Sequence, residues 1–509
     1  MKEHKSKKFF GNAIISFSLL ILITMIASLI GNKIGLQTSY LKVDAVTGNI
    51  ESTIVGIVNL FHFSELKNII GNAFVNFVGF APVASFLIAT IGIGVATKTG
   101  LLKHLFTRFG KKINRFWMTF FLALISIIIT FISDTGFVIL IPLAALFYYY
   151  NNRNPIGAII TSFVALISGQ GINFVLSNLE YNLLPYTESG AKLIDSNFVL
   201  GNHTNLFFMI AGTISLAFLI TYITEKITLY KLNKYPVTEE ELIVTKSEKN
   251  GLFLAGIGGI ILLLLFIYIT IPGLPGSGLL LDMNKTNYLD QLYGNGSYFS
   301  SSITYLISIV LFVSGILYGF GSRAIKTKEE FSKIIYSSLD KIGSFLVLLF
   351  LASQLIAIFR RSNIGVVFNA YLIDLVNNLN FSALPLIVLI IIVVFIANLF
   401  LTSSATKWAI MSPVIIPSMM KSNITAEFSQ VIFRIGESAS NIMTPLSTYF
   451  IMLIGYLELY NKNDEHISFS NCYRLLWPYI IAIFLLWLIL IISWYIIGLP
   501  IGFGTYPTV

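Results

Sequence analysis

Long apolar runs separated by short polar segments repeat along the whole chain. A helix needs about 20 residues to cross a bilayer, and such a helix satisfies its backbone polar groups internally. The pattern therefore predicts an all-α polytopic membrane protein. The apolar runs lie near residues 10–31, 74–97, 114–132, 136–150, 156–184, 205–224, 251–272, 301–321, 342–359, 383–401, 408–419, 428–457 and 474–498.

Two apolar regions are interrupted by a polar segment halfway. Residues 114–150 are broken at Ser133–Gly136, and residues 383–420 are broken at Thr402–Thr406. Non-helical backbone at membrane depth is tolerated only inside protein or beside a water-filled cavity. We therefore predict two re-entrant helical hairpins whose polar tips lie within the membrane.

The charge distribution in the loops predicts an orientation. Positive charge concentrates in residues 2–8, 98–115, 225–249 and 323–341, whereas residues 185–204 and 273–300 each hold a single lysine. The positive-inside rule makes the first group cytoplasmic. This predicts about nine spanning helices with the N-terminus in the cytoplasm, in the cytoplasmic (inner) membrane of a bacterium. The run that begins near residue 9 is too long for a signal-peptide core, so it is predicted to remain as the first helix.

The two hairpins enter from opposite sides in this arrangement, which predicts an inverted repeat. Residues 74–184 form the first hairpin-containing unit and residues 342–457 form the second, within one membrane transport domain spanning 1–509. The remaining helices would serve as scaffold and dimer contacts. Paired broken segments in two halves are the best sequence indication of a transporter site.

Composition narrows the function. Hydrophobic residues make up 56% of the 509 residues and charged residues 11%, against about 25% in soluble domains. The net charge of +9 follows from the membrane-flanking loops, so nucleic acid is not expected as a partner. The single cysteine, Cys472, excludes an internal disulfide, and the five scattered histidines predict no metal site. No nucleotide-binding motif is present, and no nucleophile–base pair indicates an enzyme.

Charged residues inside predicted spans are costly and therefore indicate function. The set comprises Asp134, Glu180, Arg360, Arg361, Lys407, Arg434 and Glu437. Arg434 and Glu437 lie three residues apart on one helix face, where Arg434 can hold a carboxylate and Glu437 can orient it or carry a proton. The alternative is a structural ion pair. Of the two adjacent arginines, Arg360 and Arg361, at most one is expected to face the transport path.

Other candidates carry open alternatives. Asp134 either binds a cation or caps a hairpin arm, and Lys407 either meets an anion or extends to water. Glu180 is either a titratable group in the pathway or a helix-end carboxylate in water. Trp408 either stacks on an aromatic cargo or anchors the membrane interface.

Amides and hydroxyls near the two tips complete the candidate set. Asn398, Ser403 and Ser404 surround the second tip and can bind a carboxylate. Thr135, Asn173 and Asn441 join Asp134 and Glu437 as candidates for coupling ions, because such groups also coordinate hard cations.

Motifs over most of the chain resemble the p-aminobenzoyl-glutamate transporter (AbgT) family. The resemblance is carried by Ser133-Asp134-Thr135-Gly136, Ala352-Ser353-Gln354, Ser362-Asn363-Ile364-Gly365, Lys407-Trp408-Ala409, Arg434-Ile435-Gly436-Glu437-Ser438 and Asn441-Ile442-Met443-Thr444-Pro445. It implies a homodimer with nine spanning helices and two hairpins. It also implies transport of p-aminobenzoyl-glutamate, a folate fragment with two carboxylates, with H⁺ or Na⁺ as coupling ion and no other cofactor. Asn398, Trp408 and Arg434 carry over as site residues.

The chain departs from the family pattern at several site positions. Glu180 and Glu437 replace aspartates, which keeps the charge but extends each side chain by a methylene. Ala405 replaces a serine, Ala426 a proline and Arg361 an aromatic residue. An additional arginine in the path would favour a more anionic cargo.

The sequence thus predicts a secondary active transporter of p-aminobenzoyl-glutamate or a similar anion, embedded in the lipid bilayer. One alternative is a proton-driven exporter of sulfonamide-type antimetabolites, which would confer antibiotic resistance. A second alternative is a dicarboxylate carrier.

Overall fold

The fold is given by a computed structural model. It describes residues 12–44, 47–132, 135–201, 204–232, 235, 245–294, 296–340, 342–379, 381–461 and 468–509. Asp134, one of the predicted coupling residues, lies outside these ranges.

The described part of the chain is mostly helical, as predicted. The N-terminal half comprises α1 Ala13–Ile34, α2 Phe63–Val78, α3 Ala81–Lys98, α4 Leu101–Gly110, α5 Arg115–Ile128, α6 Ile141–Tyr150, α7 Pro155–Gly169, α8 Asn178–Ala191, α9 Leu206–Ile223, α10 Leu229–Lys231 and α11 Lys246–Tyr268. A 3₁₀ turn at Ile129–Ile132 extends α5, a π-helix at Gly136–Leu140 precedes α6, and a π-helix at Thr224–Thr228 joins α9 to α10.

The C-terminal half continues the helical pattern. It comprises α12 Tyr288–Tyr293, α13 Phe299–Ser322, α14 Lys328–Ser337, α15 Gly343–Arg361, α16 Ile364–Leu379, α17 Ala383–Phe400, α18 Ser404–Lys421, α19 Ala426–Ser440, α20 Phe450–Leu459 and α21 Phe469–Ile497.

Nine helices within the described ranges are long and apolar enough to cross a membrane. Their number agrees with the prediction, but two of them, Arg115–Ile132 and Ala383–Phe400, were predicted as the first arms of the hairpins. The runs at 156–184 and 428–457, which were predicted to span, are not among the nine. The nine are Ala13–Ile34, Ala81–Lys98, Arg115–Ile132, Leu206–Lys231, Lys246–Tyr268, Phe299–Ser322, Gly343–Arg361, Ala383–Phe400 and Phe469–Ile497.

Two predicted spanning helices are broken in the middle. The run at 156–184 forms α7 and α8 with residues 170–177 between them, and the run at 428–457 forms α19 and α20 with residues 441–449 between them. In the first break the Asn173 amide donates to the carbonyls of Ile127 and Ile128 on the neighbouring α5, at 3.1 and 2.9 Å. In the second break Pro445 disfavours helical backbone in the residue before it.

A β-hairpin that the sequence analysis did not predict follows α1. Strand β1 Gln37–Val43 pairs antiparallel with β2 Ile50–Gly56, and Gln37 is opposite Gly56. Strand β1 packs on α18, α16 and α8. The described fold is mostly helical as predicted, with this short hairpin as an addition that packs on α18, the second arm of the second predicted re-entrant hairpin.

The two predicted hairpins pack on the broken helices. Helices α5 and α6 both pack on α7, whereas α17 packs on α19 and α18 packs on α8. At Gly190 of α8 an added Cβ would lie 2.9 Å from the Ser412 carbonyl of α18, so only glycine allows this close approach. These contacts bring α8, α18 and α19 together around one buried polar region.

Candidate functional site

A cavity of about 260 Å³ lies where the ends of both predicted hairpins meet both helix breaks. Its walls come from the end of the 3₁₀ turn after α5, the break between α7 and α8, the turn between α17 and α18, and the break before α20. The lining residues are Thr130, Phe131, Gln170, Ser177, Asn178, Leu179, Thr402, Ser403, Ser404, Ala405 and Tyr449. The predicted residues Ser403 and Ser404 therefore face a cavity.

Two helix N-termini open onto this cavity. Ser177 caps α8 by accepting a hydrogen bond from the Glu180 backbone N–H at 3.1 Å, and Ser403 caps α18 by accepting from the Thr406 N–H at 3.4 Å. A helix N-terminus carries a partial positive charge and exposed N–H groups, so it attracts anions. Because all the described lining residues are uncharged, these two helix ends supply the positive potential there.

The buried Arg434 and the partly buried Glu180 form an ion pair directly behind the cavity wall. Arg434 Nε lies 3.4 Å from Glu180 Oε2, and the side chains are 2% and 14% exposed. The Arg434 Nη2 group donates to the carbonyl of Gln170, whose side chain belongs to the cavity lining. At Gly171 a Cβ would lie 2.7 Å from the Arg434 carbonyl, so the break comes close to α19 because residue 171 is glycine.

The guanidinium of Arg434 keeps unused donor capacity. Its Nε and Nη1 atoms have no hydrogen-bond partner among the described residues. A buried donor without a partner costs about 1–3 kcal/mol. The Nη1 group of Arg434 can therefore donate to a further anionic oxygen, whereas Nε already faces the Glu180 carboxylate at 3.4 Å.

Lys407 forms a second buried ion pair. Its Nζ lies 2.5 Å from Glu437 Oε1 and donates to Asn398 Oδ1, also at 2.5 Å, and the lysine and glutamate side chains are 0% and 2% exposed. The ammonium also lies 5.6 Å from the centroid of the Phe433 ring, within cation–π range. The Asn398 amide donates to Asn441 Oδ1 at 2.8 Å. Lys407 thus meets a carboxylate, and the alternative that it extends to water is wrong.

The predicted proximity of Arg434 and Glu437 does not make them partners. They lie on one helix, but Arg434 pairs with Glu180 and Glu437 pairs with Lys407. Glu180 does lie at a helix end, in the first turn of α8, but its carboxylate is not in water, because it is 14% exposed, pairs with Arg434 and accepts a hydrogen bond from Gln430. The four charges balance to zero across α8, α18 and α19.

Trp408 packs against protein. Its side chain is fully buried, its ring stacks on Phe433 at 4.3 Å, and its Nε1 donates to Thr187 Oγ1 at 2.8 Å. In this conformation the indole has neither of the predicted environments, since it is fully buried and does not line the cavity of about 260 Å³. Trp408 instead ties α18 to α8.

The two adjacent arginines separate as expected. Arg360 lines a small cavity of about 60 Å³ together with Asn363, Thr402 and Ser403. Arg361 donates from Nε to Glu65 Oε2 at 2.6 Å on α2, and its side chain is 52% exposed. Arg361 is therefore paired with a carboxylate of α2 and is not among the residues that line the two cavities at the second hairpin, so it gives no argument for a more anionic cargo.

The remaining predicted residues are divided among several positions. Asn173 joins Glu180 in lining a cavity of about 30 Å³ and also bonds to Thr130 Oγ1 at 2.9 Å. Asn441 contacts the Lys407 pair through Asn398. Thr135 is buried and bonds to Thr304 Oγ1 of α13 at 2.8 Å, at a separate place near the first hairpin tip.

Two residues of this region were missed by the sequence analysis. Gln430 and Thr187 are both buried and lie between the Glu180 carboxylate and the Trp408 indole. Gln430 precedes Arg434 by one helical turn, so its position on the same face was a usable signal. Nothing in the pattern distinguishes Thr187 from other buried threonines.

Comparison with known proteins identifies the chain's relatives. The family model of the AbgT transporter family matches residues 7–509. The p-aminobenzoyl-glutamate transport protein of Escherichia coli (strain K12) is 25% identical over 459 residues, which cover 90% of this chain and 88% of that protein.

Two solved structures also resemble the chain. The YdaH transporter of Alcanivorax borkumensis is 24% identical, with a TM-score of 0.49 over 96% of this chain and 100% of the other. MtrF of Neisseria gonorrhoeae, described as illuminating a class of antimetabolite efflux pumps, is 27% identical, with a TM-score of 0.49 over 98% of both chains. The assignment rests on the family model, which covers nearly the whole sequence.

The match confirms the resemblance found in the motifs, and it agrees with the apolar helices of a multi-pass membrane protein. This chain is a member of the AbgT family of transporters.

Proposed function

We propose that this transporter carries a small organic anion with two carboxylates, p-aminobenzoyl-glutamate or a close relative, by secondary active transport. The observation that carries this proposal is the cavity of about 260 Å³ between two helix N-termini, with the Arg434–Glu180 pair directly behind its wall. The name of the E. coli relative supports the same cargo.

The arrangement offers one place for each carboxylate of the cargo. The first is the cavity itself, where the N-termini of α8 and α18 provide N–H groups and partial positive charge. The second is Arg434, whose Nε and Nη1 lack hydrogen-bond partners within the described structure. A planar guanidinium binds a carboxylate by two parallel hydrogen bonds, which a lysine does not reproduce.

The size of the cavity sets a limit on the cargo. Ligand pockets usually measure about 300–1,000 Å³, so this cavity of about 260 Å³ is slightly smaller than that range. A folate fragment would fill it completely and displace Glu180 from the wall behind it. We infer that cargo binding and separation of the Arg434–Glu180 pair occur together.

Charge balance favours the proton as the coupling ion. The pairs Arg434–Glu180 and Lys407–Glu437 are neutral as a set, and all four residues except the partly exposed Glu180 are buried. A cargo carboxylate that takes the place of Glu180 on Arg434 leaves the partly buried Glu180 carboxylate without a cation, which is costly. Uptake of one proton by Glu180 removes this unpaired charge, whereas the second cargo carboxylate stays at the two helix N-termini. We infer that at least one proton accompanies each dianion.

The test is transport in proteoliposomes. Labelled p-aminobenzoyl-glutamate should accumulate when a proton gradient is imposed, and a sodium gradient alone should not drive it. Arg434→Ala should lower the initial rate at least tenfold, because a charge-assisted contact of about 1.5–3 kcal/mol is lost. Arg434→Lys should recover only part of it. Arg474→Ala provides the matched control, because Arg474 is exposed on α21.

Each alternative has its own outcome. Accumulation driven only by sodium would replace the proton in the scheme. Efflux from loaded vesicles without uptake would assign export, as for an antimetabolite pump. Competition by succinate or citrate at equal concentration would assign a dicarboxylate carrier. Unchanged transport by a folded Arg434→Ala protein would refute the site.

The assembly and location are proposed on the family resemblance and on loop charge. We propose a homodimer in the cytoplasmic membrane with the N-terminus inside. Native mass spectrometry of the detergent-solubilised protein measures the subunit number, and a reporter fused to the N-terminus measures its side.

A further inference from the structure

A continuous chain of hydrogen bonds connects the Arg434–Glu180 ion pair to helix α18. The Gln430 amide nitrogen donates to Glu180 Oε1, and Thr187 Oγ1 donates to Gln430 Oε1 at 2.5 Å. The Trp408 indole N–H then donates to Thr187 Oγ1 at 2.8 Å. We call Gln430 and Thr187 together the amide–hydroxyl bridge.

The direction of these hydrogen bonds is fixed by chemistry. An indole N–H is only a donor, and an ionised carboxylate is only an acceptor. The hydroxyl must therefore accept from Trp408 and donate to Gln430, and the amide must turn its nitrogen toward Glu180. Replacing Trp408 by a side chain that cannot donate leaves Thr187 without its donor, and replacing Glu180 by one that cannot accept leaves the Gln430 amide nitrogen without its acceptor.

The bridge joins three elements that form the site. Glu180 and Thr187 lie on α8, Gln430 lies on α19, and Trp408 lies on α18. The Gln430, Thr187 and Trp408 side chains are all buried, so no water replaces a lost partner. Buried polar side chains in this situation are stable only when the whole network is satisfied.

We propose that Gln430 and Thr187 are positioning residues that hold α18 against α8 while Glu180 is paired with Arg434. When a cargo carboxylate displaces Glu180, the Gln430 amide loses its acceptor and the bridge no longer holds α18. This inference rests on the proposed function, because it requires a cargo that competes with Glu180. In this proposal the bridge couples occupancy of the site by cargo to the position of α18, the second arm of the second predicted hairpin.

Labelling of a buried cysteine measures this holding contact directly. Cys472 is the sole cysteine, so Cys472→Ala gives a cysteine-free background. Ser412→Cys then places one thiol on α18 at the level of its contact with α8, because Ser412 is fully buried and its backbone oxygen lies 2.9 Å from the Cβ position of Gly190. The probe is the initial rate of N-ethylmaleimide labelling.

The variants are chosen to differ by single groups. Thr187→Val removes the hydroxyl at constant shape, and it should raise the labelling rate roughly fivefold, which corresponds to one hydrogen bond. Thr187→Ser keeps the hydroxyl and should restore slow labelling. Thr221→Val is the control, because Thr221 is equally buried and bonds only to the Ala217 carbonyl of its own helix.

A double variant separates the bridge from general loosening. Glu180→Ala removes the last acceptor and should also raise the rate about fivefold. Since both changes break the same bridge, the Thr187→Val/Glu180→Ala protein should label no faster than either single variant. Gln430→Met, which keeps length without hydrogen bonding, repeats the test if Thr187→Val does not fold.

The outcomes distinguish the two proposals. Added p-aminobenzoyl-glutamate should raise the labelling rate of the background protein and leave the labelling rate of Thr187→Val unchanged. Thr187→Val should also bind this cargo more tightly. Labelling of Thr187→Val at the background rate, or rates that multiply in the double variant, would overturn the bridge. If the variants behave as expected but the cargo has no effect, the bridge stands as a contact that holds α18 and the cargo assignment fails.

Discussion

The pair of Lys407 and Glu437 makes a large and specific prediction. Replacing Lys407 by Met leaves the Glu437 carboxylate, which is 2% exposed, without its cation at 2.5 Å. Removing one partner of a buried pair typically lowers the free energy of unfolding by about 3–5 kcal/mol. Asn398 also loses the ammonium that its Oδ1 accepts from, which places Lys407→Met in the upper part of this range.

The double variant tests whether the lost energy belongs to the unpaired charge. Lys407→Met combined with Glu437→Met removes both charges at nearly constant volume, which is often neutral for stability. Among the contacts described above, the Oδ1 atom of Asn398 then loses its donor, at a cost of about 1–3 kcal/mol, while its amide nitrogen keeps Asn441 as acceptor. The double variant should therefore be more stable than the single variant. Equilibrium unfolding in mixed detergent and SDS micelles measures both.

An exposed pair provides the control for this experiment. Lys192 and Glu188 also lie 2.5 Å apart, but their side chains are 46% and 31% exposed. Lys192→Met should change the unfolding free energy by only about 0.3–0.5 kcal/mol. The reasoning is refuted if Lys407→Met is within about 1 kcal/mol of the wild type, or if the double variant is less stable than the single one.

Two further predictions concern stability. The Arg361 guanidinium holds the pKa of Glu65 below its ordinary value. The pair therefore stabilises the protein above about pH 4.3, and this contribution is lost as pH falls through the lowered pKa. Glu65→Gln should unfold at a lower temperature than the wild type at neutral pH and at the same temperature at acidic pH. Gly171→Ala should lower the free energy of unfolding by about 1–3 kcal/mol, since its Cβ would meet the Arg434 carbonyl at 2.7 Å. Gly256 has open space around its Cβ position, so Gly256→Ala should not destabilise the protein. An equal loss of unfolding free energy in both variants would contradict the steric argument.

The sequence was sufficient for features that depend on local composition. Apolar runs of spanning length identified α1, α9, α11, α13 and α21, because a bilayer selects for length and hydropathy. The polar interruption before Lys407 likewise placed the turn between α17 and α18. Four of the charged residues selected inside spans, Arg434, Glu180, Lys407 and Glu437, come together between α8, α18 and α19, and their role in transport stays a prediction.

Features that depend on distant partners were not predictable. Arg361 is bonded to Glu65, 296 residues away, and Trp408 to Thr187, 221 residues away. No local pattern reports such pairings. The β-hairpin at Gln37–Gly56 was missed because its burial pattern is irregular and it lies between apolar runs, where only a polar loop was expected.

The neutral pair of Lys407 and Glu437 has a consequence for the response of transport to voltage. A lone ammonium on α18 that crossed a membrane potential of 100 mV would change in energy by about 2.3 kcal/mol. Because the carboxylate beside it has the opposite charge, movement of the two as a unit displaces no net charge. Any electric current during turnover then arises from the cargo and its coupling ion, and its magnitude counts their combined charge.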